Sequence, residues 1–323
     1  MTKIALLIGI NYYGTSAELR GCINDVNNIN NYLISYLSYN NNNIYKLTDN
    51  NGENTNISTI PTKQNIINSL NIIINRIKNE NDITELFLFY SGHGSNVYDL
   101  NGDEKDSMDE VLIPVDYKNG NIITDDELNK IISNIPSKCK MFGLFDCCNS
   151  GSMLDLKYLF KSIKYNSIEN KSNNLIEHNN IFMVSGCKDN QTSADFYNNV
   201  TNKFAGALTT SFLNSCKKLN YNNITFIKLI QYMRSYLKNN NFTQIPQITS
   251  NKQINDKSYY IKDNKLLIQY VQPPPPPPKP SPPKPSPPKN KPRKIRFRNR
   301  GEYLKYLKYL RYLRYLRNRR YRR

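Results

Sequence analysis

Two short stretches of the sequence hold the residue types that nucleophilic chemistry needs. The first, Phe89-Tyr90-Ser91-Gly92-His93-Gly94, sets a histidine between two glycines. The second, Phe145-Asp146-Cys147-Cys148-Asn149-Ser150-Gly151, sets a cysteine pair after an apolar run and before Ser-Gly. Cysteine attacks as the thiolate, and a histidine within reach takes its proton or pairs with it. Glycine on both sides makes His93 exposed and closely approachable. Each stretch follows a run that reads as a buried strand, residues 85–90 and 140–145, and in folds of parallel strands chemistry sits where strands end. If extended geometry continues past each run, Ser91 and His93 share a side, Asp146 and Cys148 share a side, and Cys147 faces away. Ser91, His93, Asp146 and Cys148 then border one crevice. Singly they are ordinary, since a histidine between glycines is usually a loop residue and a strand-end cysteine a buried thiol. At the ends of two predicted parallel strands the pair is far more specific.

The elements that must position them alternate along the chain. Residues 4–10 are a short apolar run typical of a buried strand. Residues 24–39 place Val26, Ile29, Leu33 and Leu37 at helical spacing, and 43–47 read as a second strand. Residues 62–79 give the clearest helix, with Ile66, Ile67, Leu70, Ile73, Ile74 and Ile77 on one face and Thr62 as N-cap. Thr124-Asp125-Asp126-Glu127 is a capping box that opens a helix to about residue 135. A fifth strand at 181–185, helices at 204–218 and 225–238, and a last strand at 247–249 complete the pattern. Repeated strand–helix units predict an α/β fold, a mostly parallel sheet with helices on both faces.

Charge is placed unevenly. The formal net charge is +18, but residues 273–323 hold 18 of the 44 Lys and Arg and a single acid, Glu302, so +17 sits there and residues 1–272 are near neutral. Nucleic acid or an acidic membrane surface is thus an expectation about the tail alone. Thirteen of the 17 prolines fall within residues 273–292, which read as a polyproline II linker. Residues 293–323 are basic and repeat Tyr-Leu-Lys/Arg five times from Tyr303 to Arg317. Each triplet advances about 300° on an α-helix, so the apolar residues spiral without forming one face. The Tyr/Arg mixture suits RNA or acidic lipid; a low-complexity extension is the plainer alternative. The expected layout is a domain over 1–272, then the linker and the basic tail. Within the domain, a dyad half (about 1–155) and a second half (about 181–272) flank a polar linker, about 156–180. No apolar run approaches the ~18 residues of a membrane span, and the N-terminal apolar stretch is too short for a signal peptide. A soluble, monomeric protein of the cytoplasm or nucleus is expected, its six cysteines free thiols. With no CxxC and only two histidines, zinc ribbons and HExxH peptidases are excluded.

Further motifs fall in a recognisable order: Leu19-Arg20-Gly21-Cys22-Ile23-Asn24-Asp25, the His93 stretch, Asp103-Glu104 through Asp109-Glu110-Val111, Asp116, the capping box with Leu128, the Cys148 stretch, Ser185-Gly186-Cys187-Lys188-Asp189 through Asp195, and Gly206-Ala207-Leu208-Thr209. Together they resemble the metacaspases, caspase-fold cysteine peptidases, over about residues 3–250, and most closely the type I branch. The resemblance implies a caspase-like fold and hydrolysis of protein or peptide substrates after Arg or Lys. It makes His93 the general base or imidazolium partner and Cys148 the nucleophile. Where the family reads Asp-Ser-Cys-His-Ser-Gly, this chain has Cys147 for Ser and Asn149 for His, so Cys147 is either a secondary thiol or a packing residue. The backbone N–H groups of Gly94 and Cys148 are candidates for an oxyanion hole.

The resemblance also maps a pocket for the basic side chain onto Cys22, Asp25, Ser91 and Asp146, the two carboxylates facing the substrate cation. Read alone, Asp25 is an acid that stabilises a helix N-terminus. Asp109, Asp125, Asp126 and Asp155 match calcium-binding positions, and four carboxylates from three segments suit a hard cation that orders loops and so activates. The plainer reading puts Asp125 and Asp126 merely in the first turn of a helix. Residues 99–106 fail the EF-hand spacing and read as an exposed loop. No organic cofactor is called for. In the polar linker, Lys157, Lys161, Lys164 and Lys171 are candidate self-cleavage points in a Lys/Arg-specific peptidase, or parts of an inert loop. The paracaspases, which share the Arg preference without the calcium requirement, are the nearest alternative family. From another class, a catalytically weak caspase-fold scaffold would bind polyanions through the tail.

Overall fold

In chain order the elements are β1 (Thr2–Gly9), α1 (Cys22–Leu37), β2 (Ile44–Thr48), α2 (Lys63–Asn79), β3 (Thr84–Ser91), β4 (Gly94–Tyr98), β5 (Met108–Leu112) and β6 (Ile123–Thr124). They continue with α3 (Asp125–Ile132), β7 (Cys139–Asp146), β8 (Tyr158–Phe160), β9 (Ile181–Ser185), β10 (Asp195–Asn198) and β11 (Lys203–Gly206). Last come α4 (Ala207–Lys218), β12 (Ile224–Thr225), α5 (Phe226–Asn239), β13 (Gln247–Ser250) and β14 (Tyr259–Ile261). This computed structural model describes residues 1–50, 59–98, 108–148, 153–160, 180–186, 195–198, 202–255 and 257–261. The chain divides into two units, Met1–Gln272 and Pro273–Arg323. The tail, residues 99–106, Asn149-Ser150-Gly151, Lys161, Lys164 and Lys171 lie outside the described residues.

Seven strands form the main sheet in the order β2-β1-β3-β7-β9-β13-β8. β2, β1, β3, β7 and β9 run parallel, and β13 and β8 are antiparallel additions at one edge. From β1 the chain goes to β2 on one side and then to β3 on the other, so strand order reverses at β1. Ligands bind beside such reversals at the carboxyl ends of the strands.

Strand alternation sorts the core into two layers. Ala5, Leu7, Phe87, Phe89, Phe142 and Leu144 pack against α1, α4 and α5. Ile4, Leu6, Ile8, Leu86, Leu88, Tyr90, Met141 and Phe145 pack against α2 and α3. Burial on both faces explains why these strands read as unbroken apolar runs. α2 buries Ile66, Leu70, Ile73, Ile74 and Ile77, each contributing about 2 kcal/mol. Its N-terminus is fixed twice, Thr62 Oγ1 accepting from Asn65 N–H at 3.2 Å and Asp116 Oδ1 from Lys63 N–H at 2.9 Å. Thr124 caps α3 by accepting from Glu127 N–H at 3.2 Å, while the Glu127 carboxylate reaches across to Lys63 Nζ at 2.7 Å.

The predicted helix over 204–218 begins only at Ala207. Gly206 is extended (φ −74, ψ 140) and caps α4, while β11 pairs antiparallel with β10. β4–β5–β6 and β12–β14 are likewise antiparallel pairings that strand–helix alternation does not announce. Among the described residues no helix is long and apolar enough to cross a membrane.

Candidate active site

β1, β3 and β7 end in register, Gly9 opposite Ser91 and Ser91 opposite Asp146. His93 lies two residues past the end of β3 and Cys148 two past β7. The two loops touch. A Cβ on Gly94 would come within 2.1 Å of the Cys148 carbonyl oxygen and 3.3 Å of Cys147 Sγ, so only glycine fits. A Cβ on Gly92 would lie 2.8 Å from the Tyr90 hydroxyl and 3.0 Å from that of Tyr12. The flanking glycines therefore do not expose the histidine. They let two phenols and the Cys148 peptide close on it, and His93 is half-buried.

His93 Nε2 lies 2.7 Å from the Ala17 carbonyl oxygen. A carbonyl only accepts, so Nε2 carries the hydrogen and Nδ1 is the nitrogen able to take a proton. Cys148 is half-buried, whereas Cys147 is fully buried and belongs to the core layer that holds Tyr12 and Tyr90. Cys22, Cys139 and Cys216 are buried too. Burial pushes the Cys139 thiol up to about 11 and that of Cys216 up to about 12, which keeps both as unreactive thiols at neutral pH. Of these five thiols, Cys148 is the one that is not fully buried.

The pocket residues converge on the other core face. Asp25, in the first turn of α1, is fully buried and Asp146 is 4% exposed. Ser91 Oγ donates to Asp25 Oδ2 at 3.0 Å, and Gly206 N–H donates to the same oxygen at 2.9 Å. Thr209 gives both its N–H and its Oγ–H to Asp146 Oδ2, each at 2.8 Å. Both carboxylates thus meet the N-terminus of α4, where N–H groups and the helix dipole favour negative charge. A Cβ on Gly206 would fall 2.1 Å from Asp146 Oδ2 and 2.7 Å from Asp25 Oδ2. Cys22 is buried, its N–H donating to Asn11 Oδ1 at 3.0 Å.

Asp125, Asp126 and Asp155 bring carboxylate oxygens within 4.8 Å of one another. Asp125 and Asp155 are buried, and Asp155 sits at φ 44. Asp109 is not within that distance group. Side chains alternate along β5, and it is Glu110 that meets Asp125. Burial, together with the Glu110 carboxyl, raises the Asp125 carboxyl to about 9. Asp125 also accepts from Glu110 N–H at 3.0 Å and Asp126 N–H at 2.9 Å. The cluster links the His93 and Cys148 loops. β5 pairs with β4, which starts at Gly94, and Asn129 of α3 donates to the Leu154 carbonyl, just after the Cys148 loop, at 2.9 Å. An all-oxygen set of this density fits a hard divalent cation. Lys157 is exposed, but its N–H is held by Asn251 Oδ1 at 3.1 Å beside β8.

With this geometry in view, the comparisons with known proteins decide the family. The profile of the metacaspase peptidase C14 domain matches residues 3–157. Metacaspase-1 of Meyerozyma guilliermondii is 31% identical over 77% of this chain and 69% of its own length. Metacaspase-1 of Candida glabrata is 32% identical over 80% of this chain and 74% of its own length. The chain belongs to the metacaspase family. It is therefore a cysteine peptidase, and proteins are its substrates. A solved structure of a Geobacter sulfurreducens protein, with a TM-score of 0.54 at 21% identity over 77% of this chain and 93% of that one, shares the fold.

Several residues that build this metacaspase's site carry no signal of their own in the sequence. Ala17 acts through a backbone carbonyl. Tyr12 lies just past the apolar run over residues 4–10. Gly206 and Thr209 stand in a family-like motif to which sequence reasoning attached no role. Glu110 is one acid among several, and only strand alternation separates it from Asp109.

Proposed function

We propose that this metacaspase cuts peptide bonds after Arg or Lys through a Cys148–His93 dyad. The observation that carries the reading is the contact of the two loops at Gly94, with Nε2 of His93 engaged by Ala17 and Cys148 the one thiol among the described residues that is not fully buried. In this reading the Cys148 thiol proton passes to His93 Nδ1 and the thiolate adds to the scissile carbonyl carbon. The oxyanion forms against the N–H groups of Cys148 and Gly94. The imidazolium returns the proton to the leaving amine, and water then hydrolyses the thioester with His93 again as base. Asp25 and Asp146 supply the negative end of the specificity pocket, held ready by Ser91, Gly206 and Thr209.

Calcium is proposed as the activator, held by Asp125, Asp126 and Asp155, with Asp109 the fourth expected ligand, outside their 4.8 Å group. When bound it would neutralise these carboxylates, its contribution being loop order rather than bond making. The protein's own part is to tie β5 and the segment after Cys148 to α3. Self-cleavage is assigned to Lys161, Lys164 or Lys171 in preference to Lys157, whose backbone is anchored. Contact with polyanions is assigned to the tail, where the charge lies.

The experiment is hydrolysis of an Arg-ending fluorogenic peptide, with and without calcium, by the wild type and Cys148→Ala. Loss of about 10⁴-fold or more is expected for Cys148→Ala, on the scale of removing a catalytic nucleophile. Cys147→Ala keeps most activity. A wild type silent under every condition sinks the dyad, and abolition by Cys147→Ala alone reassigns the nucleophile. Intact mass after calcium addition reads self-cleavage directly.

A further inference from the structure

The histidine is held by a residue that neither the motif pattern nor the proposed dyad accounts for. Tyr12 follows β1 and is 1% exposed, yet its backbone is left-handed, φ 53. A bulky aromatic residue rarely adopts that conformation, and strain of this kind gathers where a site demands it. The strain is enforced from β2's side, where the Asp49 carboxylate accepts from Asn11 N–H at 2.7 Å and Tyr12 N–H at 2.6 Å.

The strained turn delivers the phenol to the histidine. Tyr12 Oη accepts from His93 N–H at 2.9 Å and donates to the Ile113 carbonyl at 2.6 Å. The Tyr12 ring also lies against the imidazole, centroids 4.7 Å apart and planes tilted by 38°. At the other end of the residue, the His93 carbonyl accepts from Tyr90 Oη at 2.8 Å and from Ile113 N–H at 3.2 Å. The two hydroxyls lie 3.2 Å apart. Burial holds both phenols well above their ordinary range, so they stay neutral wherever a cysteine peptidase works. Gly92 is what lets both hydroxyls in.

We propose that Tyr12 is a positioning residue for His93: its hydroxyl fixes the His93 backbone and its ring fixes the imidazole plane, so that Nε2 stays on the Ala17 carbonyl and Nδ1 is presented for proton transfer. The inference rests on His93 as the proton acceptor. It assigns the β1–α1 loop, which carries both Tyr12 and Ala17, the task of aiming the base, and Asp49 the task of holding that loop.

The test uses Tyr12→Phe, which removes only the hydroxyl, and the full chain. Expected is a fall in kcat of about 10- to 100-fold on an Arg-ending peptide, the scale of mis-set general-base geometry, with KM within about threefold. The pH profile of Cys148 alkylation by iodoacetamide, which needs no substrate binding, should shift along with it. A kcat and alkylation profile like those of the wild type overturn the inference. His93→Ala separates the two layers of argument. If His93→Ala stays active, the dyad reading itself fails; if it is inactive while Tyr12→Phe is unchanged, only the role of Tyr12 fails. Tyr90→Phe, which releases the other end of His93, keeps the question answerable should Tyr12→Phe not fold. An unchanged kcat in that variant overturns the inference, and a smaller loss in the same direction supports it.

Discussion

Two clusters of buried carboxylates meet helix N-termini in this molecule, and they are balanced in opposite ways. Asp25 and Asp146 come from α1 and β7 and point at α4, which answers with the N–H groups of Gly206 and Thr209, while Ser91 and Thr209 add hydroxyls. Asp125 and Asp126 belong to the first turn of α3 itself. There Asp125 is pressed against a second acid, Glu110, and its carboxyl rises to about 9, with Asp126 and Asp155 close by. The first pair is organised by neutral donors and has carboxylates aimed and ready. The second packs acids against acids and is relieved by a proton or a cation. Burial of an acid is thus uninformative by itself; what surrounds it separates the proposed pocket for a charged group from the proposed ion site.

The comparison breaks if the two clusters answer to the same perturbation. Asp146→Asn keeps shape and removes charge. It should cut kcat/KM on Arg-ending peptides by about 10²- to 10³-fold, the cost of removing one partner of a buried charge pair, while the calcium concentration for half-activation stays put. Steady-state kinetics over a calcium titration reads both. If Asp146→Asn lowers Arg and uncharged peptides alike, the pocket reading fails. At the other cluster, Asp126→Ala should raise the calcium needed for half-activation by about 10- to 100-fold and leave activity at saturating calcium near wild type. Thermal unfolding supplies a readout independent of turnover. If the site binds calcium, an ion concentration about 100 times its Kd should stabilise the wild type by about 2.7 kcal/mol, and that shift should shrink in Asp126→Ala. An unchanged shift removes Asp126 from the site.

The sequence reads deeply in some places and barely in others, for physical reasons. β1, β3, β7 and β9 are legible because a strand buried on both faces must be apolar throughout, and α2 because one isoleucine face repeats at helical spacing. His93 and Cys148 stand out as a pair, because each alone is ordinary and the two together at the ends of neighbouring strands are not. β4–β5–β6 and β10–β11 are not, because short partly exposed strands lack a strict pattern, and β11 abuts α4 so closely that the two merge into one apparent helix. Glycine at positions 92 and 94 signals close approach, but not that the approaching groups are the Tyr12 and Tyr90 hydroxyls and the Cys148 carbonyl. Contacts made by main-chain atoms, such as Ala17 to His93 or Gly206 to Asp25, leave no side-chain signature. The acids at 109 and 110 look equivalent in a string and differ only once β5 fixes which face each occupies.

The smallest of these effects tests the neutral donors of the pocket most directly. Thr209 gives Asp146 Oδ2 two bonds, one from its backbone and one from its hydroxyl. Thr209→Val keeps volume and the backbone bond and deletes the hydroxyl bond. A hydrogen bond to a charged group contributes about 1.5–3 kcal/mol, but the surviving N–H bond still restrains the carboxylate, so the loss should sit at the low end. KM for Arg-ending peptides is expected to rise about tenfold with kcat within about twofold, because the thiolate and the imidazole are untouched. Thr209→Ser restores the donor and should return KM to within about threefold of wild type. A merely structural role predicts the reverse pattern, with the melting temperature and kcat falling together in both variants. If Thr209→Val leaves KM alone, Asp146 is held by α4's backbone without help, and the pocket is organised by the helix terminus rather than by its side chains.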